Sequence, residues 1–297
     1  MAASEQVYRA APRVGLGIAT ALAGMLLLTL NDAIGKLLGS GYGVWQILLI
    51  RSVLGLGPIL WLVRQSGGRR ALQIHSPALH VLRIACATGA AYFFLAGLAR
   101  LPLTECLAIT FAGPIFITAL SGPILGERVG ARRWAVVLVG FAGVMLMLRP
   151  GTAMFQVAAL LPLGATACYA LLMVLTRVLS RTDGNAAILF WSNLGLVVVS
   201  LPFTVTSWIT PLLVDWGVFL VLGISGAVAM YGMIVAYRHA PAAVVAPIDY
   251  TALPWGMLLG WLLWRETPDP AMWPGVAVMV ATGLYLIRRE GGPPETG

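Results

Sequence analysis

The chain has 297 residues, of which 59% are hydrophobic and only 10% charged, with a mean hydropathy of +0.89. A water-soluble domain needs about 25% charged residues to cover its surface, so the solvent of this chain is lipid, and the apolar runs follow one another too closely for an extramembrane domain. The formal charge of +8 sits in short connectors between those runs, the pattern of a positive-inside membrane protein and not of a nucleic-acid binder.

The first apolar run, from Val14 to Leu30, follows Arg9 and Arg13 and continues to Leu38 through Asn31, Asp32 and Lys36. No small-residue cleavage site interrupts it, which predicts an uncleaved first span. With about 20 residues of helix per crossing, spans are predicted over 14–38, 44–63, 79–99, 103–125, 131–149, 155–178, 186–207, 214–237, 242–264 and 271–288. Fourteen arginines, among them Arg64, Arg69, Arg70, Arg83, Arg128, Arg132 and Arg133, fall on the side of the N-terminus, against Lys36, Arg100, Arg149 and Arg265 on the other. That asymmetry predicts both termini in the cytoplasm, with tails over 1–13 and 290–297. The excess of eighteen arginines over the single Lys36 points to a GC-rich bacterial genome, and the bacterial inner membrane is the expected location. Trp45, Trp61, Trp208 and Trp216 fall at span ends and read as interface anchors.

The chain also repeats itself. Residues 101–149 align with 240–288 at an offset of 139, which superposes Pro102 on Pro241, Glu127 on Glu266, Trp134 on Trp273 and Arg149 on Arg288. Earlier spans align at an offset near 141, placing Lys36 over Arg177. The units are 14–149 and 155–289, and each holds five spans. An odd number forces the second copy to enter the membrane upside down. The arginines agree: Arg128, Arg132 and Arg133 are replaced in the second copy by Thr267, Ala271 and Met272. The expected fold is therefore an all-α integral membrane protein of ten transmembrane helices in two inverted five-helix repeats. Inverted repeats commonly build transporters with a substrate site near the midplane between the halves.

Ionisable and hydroxyl groups inside the spans are the candidate substrate-binding or gating residues. Asp32 and Arg51 lie six and seven residues from the outer ends of their spans, about 10 Å deep, and could pair, with Lys36 a competing partner for Asp32 one turn away. Asp249, beside Tyr250 and between Pro247 and Pro254, lies at similar depth from the inner side, on a helix that the prolines could kink. Glu105 is placed at the outer mouth. Trp191 and Asn193, flanking Ser192, form a polar-aromatic step at the position of the second copy that corresponds to Arg51, and Tyr92, Tyr169 and Tyr231 are mid-span hydroxyls that favour the bundle interior. Each of these residues has a plain packing role as its alternative.

The stretch from Ala108 to Arg128 (AITFAGPIFITALSGPILGER) with Trp134, its second copy from Ala246 to Glu266 (APIDYTALPWGMLLGWLLWRE) with Trp273, and the first-span sequence from Asn31 to Lys36 together resemble the EamA domain of the drug/metabolite transporter superfamily. The resemblance covers about residues 14–289. It implies ten helices in two inverted repeats and export or exchange of small metabolites, nearest to bacterial exporters of aromatic amino acids. Amino acids, aromatic or otherwise neutral, are thus the first expectation for the cargo; nucleotides, sugars or cationic drugs are the alternative. In the second copy the family's Leu-Gly-Glu becomes Trp264-Arg265-Glu266.

An intramembrane enzyme is the rival reading, through Gly223-Ile224-Ser225-Gly226. A serine nucleophile needs a histidine within hydrogen-bond reach, and His239 is about 21 Å away along a helix, while His75 and His80 sit at span ends. The only lysine, Lys36, precedes Leu37, which rules out a phosphate-binding Walker loop. Cys86, Cys106 and Cys168 lie singly in apolar runs, without metal-ligand spacing. No enzyme activity, cofactor or metal is expected. The expected partners are a small-molecule substrate and the bilayer, with no nucleic acid, and both a monomer and an oligomer stay open.

Overall fold

The computed structural model describes residues 14–125, 131–148, 157–239, 248, 251–270, 273–278 and 280–281, and these form helices and turns without a strand. The helices are α1 (Val14–Leu38), α2 (Val44–Gln65), α3 (Pro77–Leu98), α4 (Leu103–Thr110), α5 (Gly113–Leu125), α6 (Ala131–Leu148), α7 (Leu160–Leu179), α8 (Asn185–Val205), α9 (Leu213–His239) and α10 (Ala252–Trp264). Residues 273–278 are helical as well. Among the described residues, five helical stretches are long and apolar enough to cross a membrane: Gly15–Leu38, Val44–Gln65, Pro77–Leu98, Val157–Thr176 and Ala186–Val205. Leu103–Ile117 (α4 and the start of α5), Leu213–Gly226 and Ala252–Trp264 are shorter apolar stretches.

The helix expected over 103–125 is divided. Phe111 and Ala112 form a tight turn whose N–H groups reach back three residues, to Ala108 (3.2 Å) and Ile109 (3.1 Å). The cause is local: Pro114 has no N–H to give the carbonyl four residues back, and it disfavours α geometry in the residue before it. In the second copy α10 starts at Ala252, after Thr251. At the offset of 139 this is where α5 starts, and both helices have 13 residues. Pro254 therefore sits in the first turn of α10, where proline is tolerated, and does not kink it; Pro247 lies outside the described residues. Lipid-embedded proteins tolerate broken helices where the freed backbone is buried in protein or lines a watery cavity.

Equivalent helices of the two repeats meet in antiparallel fashion. The Asn193 amide of α8 donates to the Ser52 carbonyl of α2 at 2.7 Å, and Asn193 is the offset-141 counterpart of Ser52. The ring of Trp45, near the start of α2, stacks on Phe203, near the end of α8 (4.5 Å). The α1·α9 and α3·α7 pairs are likewise antiparallel and are images of one another: Gly24 faces Ala229 and Met233 in the first, and Gly89 faces Cys168 in the second.

Small residues permit these approaches. A Cβ at Gly223 would come within 2.6 Å of Leu54, and one at Gly195 within 2.6 Å of Ile84. An offset of 141 carries Leu54 to Gly195, and one of 139 carries Ile84 to Gly223. The large and small partners are thus exchanged between two equivalent crossings. Gly223→Leu and Gly195→Leu should each destabilise the fold by about 1–3 kcal/mol through overpacking. Gly57→Leu should be neutral in the same thermal-unfolding assay in detergent, because a Cβ added at Gly57 would meet nothing within 4 Å.

Candidate functional site

At the end of the bundle that carries the 39–43 turn, charges from both repeats converge. Asp32, Lys36, Glu105 and Glu266 all lie near enough to act on the buried Cys106 of α4. Lys36 does not pair with Asp32, its neighbour one turn away. Its ammonium donates to the Leu101 carbonyl (2.8 Å) and to Glu266 Oε1, and lies 5.0 Å from the centre of the Trp264 ring. Glu266 Oε2 accepts the N–H of Leu103 (3.0 Å), so one carboxylate both neutralises Lys36 and caps α4. Its placement depends on Arg265, whose φ of 56° ends α10 in the left-handed region. Glycine is the usual residue there, and Arg265 is the counterpart of Gly126 in the family's Leu-Gly-Glu; its guanidinium lies 4.9 Å from the Trp261 ring.

Asp32 and Arg51 act on each other electrostatically, yet no Arg51 nitrogen comes within the 4.0 Å of a direct ion pair. Both are half-buried, and neither side chain makes a hydrogen bond among the described residues. The direct pairing expected from the sequence is therefore not formed. Tyr92 of α3 lies at the same level, because Gly35 of α1 packs against Leu95 one turn further along both helices. The Tyr92 ring stacks on Trp45 (4.6 Å), and its hydroxyl has no hydrogen-bond partner among the described residues. Trp45, which the sequence places as an interface anchor, is instead sandwiched between Tyr92 and Phe203. Residues 89–94 of α3 are all partly exposed, between buried positions on either side.

Other candidates hold helices together. Asn193 ties α8 to α2, as above. Trp191 donates its indole N–H to the Leu72 carbonyl (3.0 Å), fixing the 3-10 turn Gly68–Leu72. Tyr169, expected in the interior, is 48% exposed on α7. Glu105 is half-buried in the first turn of α4. Asp249 and Tyr250 lie outside the described residues, as does Glu127, and the Tyr231 side chain is not described. Ser225 accepts a hydrogen bond from the Asn31 amide (2.8 Å), which also donates to the Leu222 carbonyl (2.6 Å). Its hydroxyl is thus engaged in the α1·α9 contact, beside the glycines that make that contact possible.

Four polar ties are absent from the sequence expectations. Arg83, counted there among the end charges, is 5% exposed; it donates to Thr176 (2.9 Å), the Ile188 carbonyl (3.3 Å) and Ser192, joining α3 to α7 and α8. At the end near residue 183, the carboxylate of Asp183 accepts the His75 N–H (3.1 Å) and lies against His75 Nδ1 (2.8 Å) and His80 Nε2 (2.7 Å). At the other end Tyr42 donates to Asp215 (2.5 Å), and Gln46 exchanges two hydrogen bonds with Ile209. An offset of 141 carries Tyr42 to Asp183, and 140 carries His75 to Asp215, so equivalent turns are tied at both ends by different chemistry. Only the repeat alignment could have drawn attention to these pairs.

Burial pushes the Asp183 carboxyl up, but the hydrogen bonds from His80, His75 and Thr182 outweigh it and hold the group at about 2, below its ordinary 3.8. The stabilisation is then fully present above pH 3.8 and lost as pH falls through about 2. The thermal midpoint of the wild type should therefore fall further between pH 4 and pH 2 than that of Asp183→Asn; equal falls would show that the tie contributes nothing.

An all-helical membrane protein of two similar halves, with a polar cluster where they meet, has the form of a transporter. The chain belongs to the EamA-like transporter family, whose profile matches residues 15–149 and 156–289. It is 32% identical over 224 residues to a riboflavin transporter of Rhizobium johnstonii, covering 75% of this chain and 74% of that one. It is 28% identical over 279 residues to an S-adenosylmethionine uptake transporter of Rickettsia prowazekii, covering 92% and 93%. A crystal structure of 18% sequence identity has the same fold over 95% of this chain and 99% of its own, with a TM-score of 0.63.

Proposed function

We propose that the chain is a secondary transporter of the bacterial inner membrane that takes up a metabolite built on a flat heterocycle, of the flavin or adenosyl type. The similarity over three quarters or more of this chain to transporters named for riboflavin and S-adenosylmethionine carries this reading. It replaces the expectation of amino-acid export with the broader alternative of another metabolite, and uptake is taken as the direction from the S-adenosylmethionine relative alone, a pseudopaline exporter of Pseudomonas aeruginosa being similar over 93% of this chain. The ten spans, the inverted second repeat and the cytoplasmic termini remain the reading that the arginine asymmetry supports. In that frame the end with the 39–43 turn faces outward, and Asp32, Arg51 and Tyr92 lie about 10 Å below it. Cargo enters between the repeats and meets these three groups, while Lys36 and Glu266 hold α1 to the second repeat at the outer face. Alternation of the two halves about the α2·α8 contact would expose the site to each side in turn.

The test is uptake of labelled riboflavin and S-adenosylmethionine into proteoliposomes, beside a panel of amino acids, sugars and nucleotides. Saturable uptake of one heterocycle is expected, reduced at least about tenfold by Asp32→Asn and by Arg51→Gln at equal reconstitution, the usual scale for losing a charged contact to substrate. Uptake confined to amino acids would reinstate amino acids as the cargo, and no flux with any compound would remove the transport reading.

A further inference from the structure

Three polar groups at one level of the bundle are left unused by the fold. Buried polar groups in a finished protein find partners, and ionisable groups within spans face a cavity or one another. Lys36 and Arg83 follow that rule with several contacts each. Asp32, Arg51 and the Tyr92 hydroxyl do not: the two charges stay beyond ion-pair distance, and the hydroxyl is unpartnered among the described residues. All three keep accessible surface on helices that are joined through α3 and α9. Their positions are fixed from outside, by the Gly35–Leu95 contact between α1 and α3 and by the stack that runs from Phe203 through Trp45 to Tyr92.

We infer that Asp32 and Arg51 form a two-pronged cargo site that selects an edge presenting a hydrogen-bond donor beside an acceptor, with no net charge. The inference rests on the transport reading and names the chemistry of its site. The donor of the cargo meets the Asp32 carboxylate, the acceptor meets the Arg51 guanidinium, and the Tyr92 hydroxyl takes a further polar atom of a ring lying near the aromatic stack. An ammonium with a neighbouring carboxylate satisfies the pair, and so does the N–H and carbonyl edge of a pyrimidine-like ring. An anion gains Arg51 but is repelled by Asp32, and a cation meets the reverse. Opposed charges in a low-dielectric site reject the wrong partner strongly.

Equilibrium binding to the purified full chain in detergent tests this with four probes: riboflavin and tryptophan for the paired edge, benzenesulfonate as a permanent anion and N-methylquinolinium as a permanent cation without a hydrogen-bonding edge. At least one paired-edge probe should bind about tenfold or more tighter than both charged probes, since a site built on placed polar groups discriminates at that scale or beyond. Which of the two binds separates the ring edge from the zwitterion. Asp32→Asn should shift preference toward benzenesulfonate and Arg51→Gln toward N-methylquinolinium. The exchanged variant, Asp32→Arg with Arg51→Asp, restores one charge of each sign and should return the wild-type order, which guards against misfolded single variants. Equal binding of all four probes, no binding of either paired-edge probe, or single variants that leave the order unchanged in well-folded protein would overturn the inference. Correct binding preferences without flux in proteoliposomes would instead count against the transport reading alone.

Discussion

Inside a bilayer no water is at hand to satisfy a polar group, so each one must find a partner within the bundle or line a wet space. The contact between α2 and α8 shows the first solution. Ser52 and Asn193 are counterparts in the two repeats, and they meet each other through one hydrogen bond. From that contact the neighbouring crossings follow in matched pairs: α1 with α9, α3 with α7, and glycines exchanged for large residues where the two copies differ. Gln46, Asn31 and Arg83 extend the same solution outward, each directing its polar atoms to a neighbouring helix or loop.

The unused polar groups then stand out. Lys36 has the same sequence credentials as Arg51, yet it is enclosed by Glu266, Leu101 and Trp264. Asp32 and Arg51 are left without an ion-pair or hydrogen-bond partner among the described residues. The fold thus separates charges that hold it together from charges available to a solute, and that separation gives the proposed site its content.

The apolar character, the duplication and the family are legible because each rests on long apolar runs or on a fixed offset. The break at Phe111–Ala112 is legible in principle from Pro114, but a hydropathy run over 103–125 hides a missing hydrogen bond. The Lys36–Glu266 pair is not legible, since 230 residues separate its members; proximity in sequence favours Asp32 instead. Arg83 is misplaced because a charge near a span end looks the same whether it reaches water or turns inward to Thr176 and Ser192. Trp45 reads as an anchor for the same reason. The cargo is least legible of all, because aromatic side chains serve packing and recognition alike.

The central claim is that a watery path reaches Asp32, Arg51 and Tyr92 between the repeats. Tyr92→Cys, in a background with Cys86, Cys106 and Cys168 replaced by serine or alanine, can be exposed to a membrane-impermeant thiol reagent with and without riboflavin. The account predicts that the thiol at position 92 is labelled and that cargo slows the labelling, while Leu213→Cys, at the outward end of α9 (90% exposed), is labelled at one rate with or without cargo. A thiol at 92 that never reacts, or that reacts at one rate whether or not cargo is present, would contradict it.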